Sequence, residues 1–207
     1  MAFQTIKQKA KPALAQLLLA SGAFSLTVWL MIDARGAAGQ SGALSEYSQK
    51  ATVLANLPKF VDWPAVSFPS PDAPFQVCVY GSFRFGTTLA EAVRGQTAHR
   101  RRMEVRWVRQ DRDLTSCHLL FLSGLDPARI TRALEIVHGG ATLTVGESDD
   151  FLKLGGVVNL VSADGRTYFD VSLESAGQGP LRISSKLLVL ARHVVRPPGP
   201  AKPDPVA

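Results

Sequence analysis

Apolar residues recur along this chain at spacings that switch between helical and extended periods. Tyr47, Ala51, Leu54 and Leu57 share one helical face, which predicts a helix over Ser45–Phe60. Its end falls at or around Pro58, whose nitrogen carries no hydrogen to donate. Strand Phe75–Tyr80, helix Thr87–Arg94 and strand Met103–Val108 follow; in the last, Met103, Val105 and Trp107 alternate with charged neighbours. Leu119–Leu122 is wholly apolar, as expected of a central strand buried on both faces. Helix Pro127–Val137 and strand Thr142–Val145 come next. Glu147, Ser148 and Asp149 are placed to open a short helix near Asp149–Leu154. Val157–Val161 and Thr167–Leu173 alternate around Ala163-Asp164-Gly165, an Asp-Gly turn that favours positive φ, and read as a β-hairpin. Ile183, Leu187, Leu188, Leu190 and Ala191 return to helical spacing behind Ser184 and Ser185. Strands alternating with helices, joined to a late hairpin and a C-terminal helix, predict an α/β layered domain with a mixed β-sheet flanked by helices.

The ends differ from this body. Lys7, Lys9 and Lys11 precede an apolar run from Pro12 to Ile32, and Gly36 and Ala38 stand in a −3/−1 relation for signal peptidase. Residues 1–38 are therefore expected to be a signal peptide. The rival reading is a retained anchor, since the run approaches the ~20 residues that span a bilayer. Either way the lysines stay inside and the rest of the chain is placed outside the cytoplasm. Residues 39–44 read as a linker. Residues 196–207, with Pro197, Pro198, Pro200, Pro203 and Pro205, read as a disordered tail.

Several motifs resemble, in order, those of the YfiR family of exported bacterial proteins. Lys50-Ala51 and Leu57-Pro58-Lys59-Phe60-Val61-Asp62-Trp63-Pro64 are similar to its opening helix. Phe75–Gly81 followed by Phe85-Gly86 is similar to its first strand and glycine turn. Thr144-Val145-Gly146-Glu147-Ser148 with Phe151, Gly155-Gly156-Val157-Val158-Asn159, Asp164-Gly165-Arg166 with Phe169-Asp170, and Leu181–Leu188 complete the set. The resemblance runs from about Ser45 to Val194, so residues 45–195 are expected to form a YfiR-like domain. It implies a periplasmic repressor that binds the periplasmic domain of an inner-membrane diguanylate cyclase, lowering cyclic di-GMP and biofilm formation. It also implies a homodimer, and an outer-membrane lipoprotein that can sequester the repressor. The alternative is a periplasmic ligand- or redox-sensing module that feeds a membrane sensor kinase. The family's frequent second cysteine pair has no counterpart here, because residues 137–155 contain no cysteine.

Charge and chemistry narrow the picture. The net charge is +6, and the leader's Lys7, Lys9, Lys11 and Arg35 against Asp33 account for half of it. The remaining +3 is not the footprint of a nucleic-acid binder. Cys78 and Cys117 are the only cysteines, and in an oxidising compartment such a pair on neighbouring elements reads as a structural disulfide. Two buried thiols or a redox-active pair are the other readings. Gly-x-Ser-x-Gly, Cys-x-x-Cys and His-Glu-x-x-His are absent, so neither catalysis, nor a metal, nor a cofactor is expected. His99, His118, His138 and His193 are scattered and read as surface or helix-end residues. Two candidate binding groups remain. Asn159, Arg182, Ser184, Ser185 and Lys186 could line an anion site at the last helix start. Arg100, Arg101 and Arg102, with Arg106, Arg109 and Arg112, form a basic cluster that reads either as a solvated edge or as a contact patch for an acidic partner surface. Exposed apolar side chains near Trp63-Pro64 and Phe68 are a further candidate contact.

Overall fold

The structure is a computed structural model, and it describes residues 46–82 and 86–197. The chain divides into two units, Met1–Leu44 and Ser45–Ala207, and every described residue belongs to the second. The leader and linker, and the tail beyond Pro197, lie outside the described residues.

The first helix, α1, is helical from residue 46 to 56 and tightens into a 3-10 turn at Leu57–Phe60. Pro58 stands at the start of that turn, where a missing N–H goes unfelt. In chain order there follow β1 (Val61–Asp62), β2 (Phe75–Gly81), α2 (Gly86–Val93), β3 (Thr97–Ala98) and β4 (Arg101–Val108). Next come a 3-10 turn (Asp111–Ser116), β5 (Leu119–Ser123), α3 (Pro127–Val137) and β6 (Leu143–Gly146). The chain ends with β7 (Val158–Ala163), β8 (Arg166–Ser172), α4 (Leu173–Ala176), β9 (Arg182–Ile183), α5 (Ser185–Leu190) and β10 (His193–Val195).

Eight strands form one mixed sheet in the order β10-β8-β7-β6-β5-β2-β4-β3, while β1 and β9 make a separate antiparallel ribbon. Within it, β7, β6, β5, β2 and β4 are all parallel. Their order reverses between β2 and β5, the arrangement of a doubly wound sheet. On one face Phe75, Val77, Val79, Leu119, Phe121, Val145 and Val158 meet Ala51, Leu54 and Ala55 of α1, Leu89 of α2 and Leu187 of α5. On the other, Cys78, Tyr80, Leu120 and Leu122 meet Ile130, Ala133 and Leu134 of α3, together with Leu114 and Phe151. The expected α/β layered fold is thus observed, with the hairpin and the last helix in place. Asp164 and Gly165 at the hairpin turn have φ of 51° and 71°, the left-handed pair that a two-residue turn between twisted strands requires.

One expected element is absent. Residues 149–155 form successive turns, not a helix. Phe151 explains this: its fully buried ring lies over Gly146 and Gly156, so closely that a Cβ at either would come 2.2 or 2.1 Å from it. The segment is folded back to seat that ring, and Gly155 turns it with φ of 99°. The ribbon strands β1 and β9 and the short edge strands β3 and β10 were not expected from local pattern.

Cys78 and Cys117 are joined in a disulfide, with Cα atoms 5.7 Å apart. It ties β2 to the entry of β5 and leaves the described residues without a free cysteine. It closes a loop of 39 residues, worth about 4 kcal/mol by the chain-entropy relation. The Cys78→Ala/Cys117→Ala double variant is therefore expected to lose about 2–5 kcal/mol in chemical denaturation. Wild-type stability in that variant would show that the bridge constrains nothing.

Candidate functional site

At the carboxyl ends of the parallel strands a charged side chain is drawn into the core. Lys50 lies on α1 between the buried Ala51 and the half-buried Tyr47, and it is only 7% exposed. Its ammonium donates to Glu147 Oε2 at 2.8 Å, just past β6, and pairs with Glu46 Oε1 at 2.6 Å one turn back. The other oxygen of Glu147 accepts from Ser123 Oγ at the end of β5, at 2.6 Å. Glu46 also accepts from Ser162 of β7, at 2.8 Å. Beside them the Gln49 side chain donates to the Gly165 carbonyl and accepts from the Thr167 amide, so α1 is fastened to the hairpin as well. Burial opposes the Lys50 charge, but its bonds to Glu147 and Glu46 outweigh that and hold its pKa above the ordinary value. Hydrogen bonds from Lys50 and Ser162 hold the Glu46 carboxyl below its own.

The amino ends of the strands are closed by aromatic rings. Contrary to the expectation that every histidine is at the surface or a helix end, His118 is buried, at the start of β5. Its Nδ1 accepts from the Gln76 amide at 3.0 Å and its Nε2 bonds the Ser67 carbonyl at 3.1 Å, so the neutral ring satisfies both chains. Burial holds the His118 pKa below its ordinary value, the nearby Arg101 charge adds to this, and the Ser67 bond opposes it. The Phe68 ring stacks on His118 with centroids 4.4 Å apart, and the Arg101 guanidinium lies 3.9 Å from the Phe68 centroid on the same stack. Trp63 packs edge-on against Phe75 at 4.8 Å and donates to the Ala141 carbonyl at 2.9 Å. Trp63 and Phe68 are therefore half-buried packing residues, not exposed contacts; the large apolar side chain that this loop does expose is Val66, at 91%.

The candidate binding residues are distributed differently from their sequence grouping. Arg101 donates to the carbonyls of Ser70, Pro71 and Ala73 and so clasps the loop ahead of β2. Arg100 occupies the β3–β4 turn, exposed, with φ of 64°. Arg102 pairs with Glu104 at 3.0 Å on the exposed strand surface. Arg106 turns inward toward the disulfide, its Nη2 3.8 Å from Cys117 Sγ, and bonds the Asp113 carbonyl and Ser116 Oγ. The arginine run is thus divided among separate tasks. Ser184 caps α5, accepting from the Lys186 amide at 3.2 Å, while Ser185, Lys186 and Arg182 are exposed. Asn159 is buried in β7 on the opposite sheet face: its neighbours Val158 and Leu160 belong to the α1/α5 core, and it alternates with them. The sheet separates Asn159 from Ser184 and Lys186, so the five residues do not form one site.

Lys50, Glu147 and His118 are the residues whose partners the sequence reading did not foresee. Lys50 had a signal, a charge lying within an apolar helical stripe. Among the described residues no three histidine, cysteine or acidic side chains gather as a metal site, and no helix is long and apolar enough to cross a membrane.

The sequence profile of the YfiR/HmsC-like family matches residues 47–192. No curated protein matches the chain. Among solved structures it is similar to a conserved domain protein from Vibrio cholerae O1 biovar El Tor, at 11% identity and a TM-score of 0.41, with 58% of this chain and 54% of that one covered. It is also similar to an ABC domain in complex with L-Trp from Streptococcus pneumoniae, at 10% identity and a TM-score of 0.41, with 58% and 55% covered. The aligned part spans about half the length of each of those chains.

Two outcomes follow from this geometry. Lys50→Met strands Glu147 without its cation and is expected to cost about 3 kcal/mol, much of it recovered in Lys50→Met/Glu147→Gln, where Ser123 keeps a partner. Additive losses in urea titrations of the double-mutant cycle would show that the pair is not coupled. His118, with its pKa depressed on folding, favours the folded state fully above the unfolded value of about 6.5 and less as pH falls below it. Stability measured between pH 7 and 5 should therefore fall more steeply in the wild type than in His118→Gln.

Proposed function

The chain belongs to the YfiR/HmsC-like family of periplasmic, non-catalytic regulators in cyclic di-GMP signalling, and on that premise we propose that it represses a membrane diguanylate cyclase by binding its periplasmic domain. The match to the family over residues 47–192, which takes in nearly the whole described domain, is the observation that carries this reading. The leader's lysines and apolar run support export to the compartment where that contact would occur. Repression of this kind needs no reaction. A surface that binds the inactive cyclase more tightly than the active one shifts the balance, and a nearly complete shift takes about 5.5 kcal/mol of differential affinity. An interface of ordinary size supplies that.

The rigidity such a surface needs is supported by the buried disulfide and the Lys50–Glu147 pair. Val66, Val189 and Leu190, exposed at 91%, 84% and 62%, are the large apolar side chains most available for a partner to cover. Sequestration by an outer-membrane lipoprotein and homodimerisation belong to the same proposal and would use surface of the same kind.

Deleting the gene is expected to raise cellular cyclic di-GMP, and only the exported chain, not one lacking residues 1–38, should reverse the rise. Unchanged cyclic di-GMP in a deletion strain that normally expresses the protein would sink the reading. Leu190→Asp or Val66→Asp, if either position meets the cyclase, should restore the deletion phenotype with no change in melting temperature.

A further inference from the structure

At the amino ends of β2, β4, β5 and β6, below the loop that Arg101 clasps, a cleft of about 510 Å³ opens beside the disulfide. That size lies within the range of small-molecule sites. Its walls combine apolar surface from Pro69, Ala73, Pro74 and Ala141 with Cys117 itself, and its polar groups come from β2, β4 and the loops before β5 and β6.

Arg106 is the unusual member. Its hydrogen bonds all run through Nη2, to Asp113, Ser116 and the two disulfide sulfurs, while Nε is buried with no partner. It takes part in none of the ion pairs among the described residues. A half-buried guanidinium without a counter-ion is costly, and an anion placed beside it removes that cost. Ser67, which also lines the cleft, likewise has its hydroxyl buried without a partner. Glu104 lies two residues before Arg106 on the same face of β4 and also lines the cleft, its carboxylate held by Arg102 and Gln76. Alternate residues of a strand stand roughly 7 Å apart. An acceptor and a cation at that spacing suit a compact ligand that carries an anion and a hydrogen-bond donor on neighbouring carbons.

We propose that this cleft binds a small hydroxy- or amino-carboxylate, with its carboxylate against Arg106 and its hydroxyl or ammonium toward Glu104. The site is independent of cyclase repression and is tested on purified protein, so its failure leaves that reading untouched. The ¹⁵N-labelled, oxidised exported chain is titrated with lactate and with serine, and with acetate and ethanolamine as half-ligands. Saturable shifts of the Gln76, Arg106 and Thr142 amides are expected with lactate, serine or both, and the half-ligands should bind at least about tenfold more weakly, a difference of about 1.4 kcal/mol. Arg106→Gln and Glu104→Gln should each weaken binding about tenfold on the same basis. Because Arg106 also braces the Asp111–Ser116 turn, Glu104→Gln, at the more exposed rim, carries the test if Arg106→Gln fails to fold. No saturable shift with either full ligand, or binding that Glu104→Gln leaves unchanged, overturns the proposal.

Discussion

β5 is buried from Leu119 to Ser123, and a parallel strand with no face toward water constrains all that surrounds it. Its side chains must be apolar on both sides, so helices have to cover both faces: α1, α2 and α5 on one, α3 and Phe151 on the other. Its ends must be closed by polar groups that bond one another, because backbone and hydroxyl groups there have lost water. Ser123 answers this at one end by donating to Glu147, and His118 does so at the other by joining the Gln76 amide to the Ser67 carbonyl. The disulfide adds a covalent tie between β2 and the approach to β5, at the point where strand order reverses.

Two family-like motifs acquire a physical meaning in this frame. Lys50-Ala51 and the Gly146-Glu147-Ser148 turn are far apart in sequence, yet buried Lys50 and half-buried Glu147 form the pair that fixes α1 over the sheet. Gly146 and Gly156 are small because Phe151 lies on both. These residues hold a shape. An ion pair drawn largely out of water is a weak source of net stability but a strong penalty when broken, so its value here is in fixing where α1 sits.

The layered fold was legible because its main elements carry local signals: an apolar block for β5, Asp164-Gly165 for the hairpin turn, helical spacing and Ser184 for α5. The turns at residues 149–155 were not, because a distant requirement, the seating of Phe151, overrides helix-opening residues. Nor was the β1–β9 ribbon, whose Val61–Ile183 pairing joins short segments from opposite ends of the domain. The candidate sites fared differently for a related reason. Neighbours in sequence on a strand point to opposite faces, so Arg101 clasps the loop ahead of β2 from one face of β4 while Arg102 and Arg106 stand on the other, and Arg100 stays in the turn before the strand. Asn159 and Ser184 share a motif series but lie on opposite sides of the sheet. Lys50 was visible as a charge within an apolar stripe, although nothing local could name its partner.

Under the proposed function, a folded, oxidised domain suffices to restrain the cyclase from the periplasmic side. The most direct measurement adds purified exported chain to spheroplasts of a strain deleted for it and follows cyclic di-GMP synthesis. A fall in synthesis with wild-type protein, absent when the Cys78→Ala/Cys117→Ala variant is added, is the predicted result. Unchanged synthesis with folded, disulfide-intact protein would contradict repression from the periplasmic side.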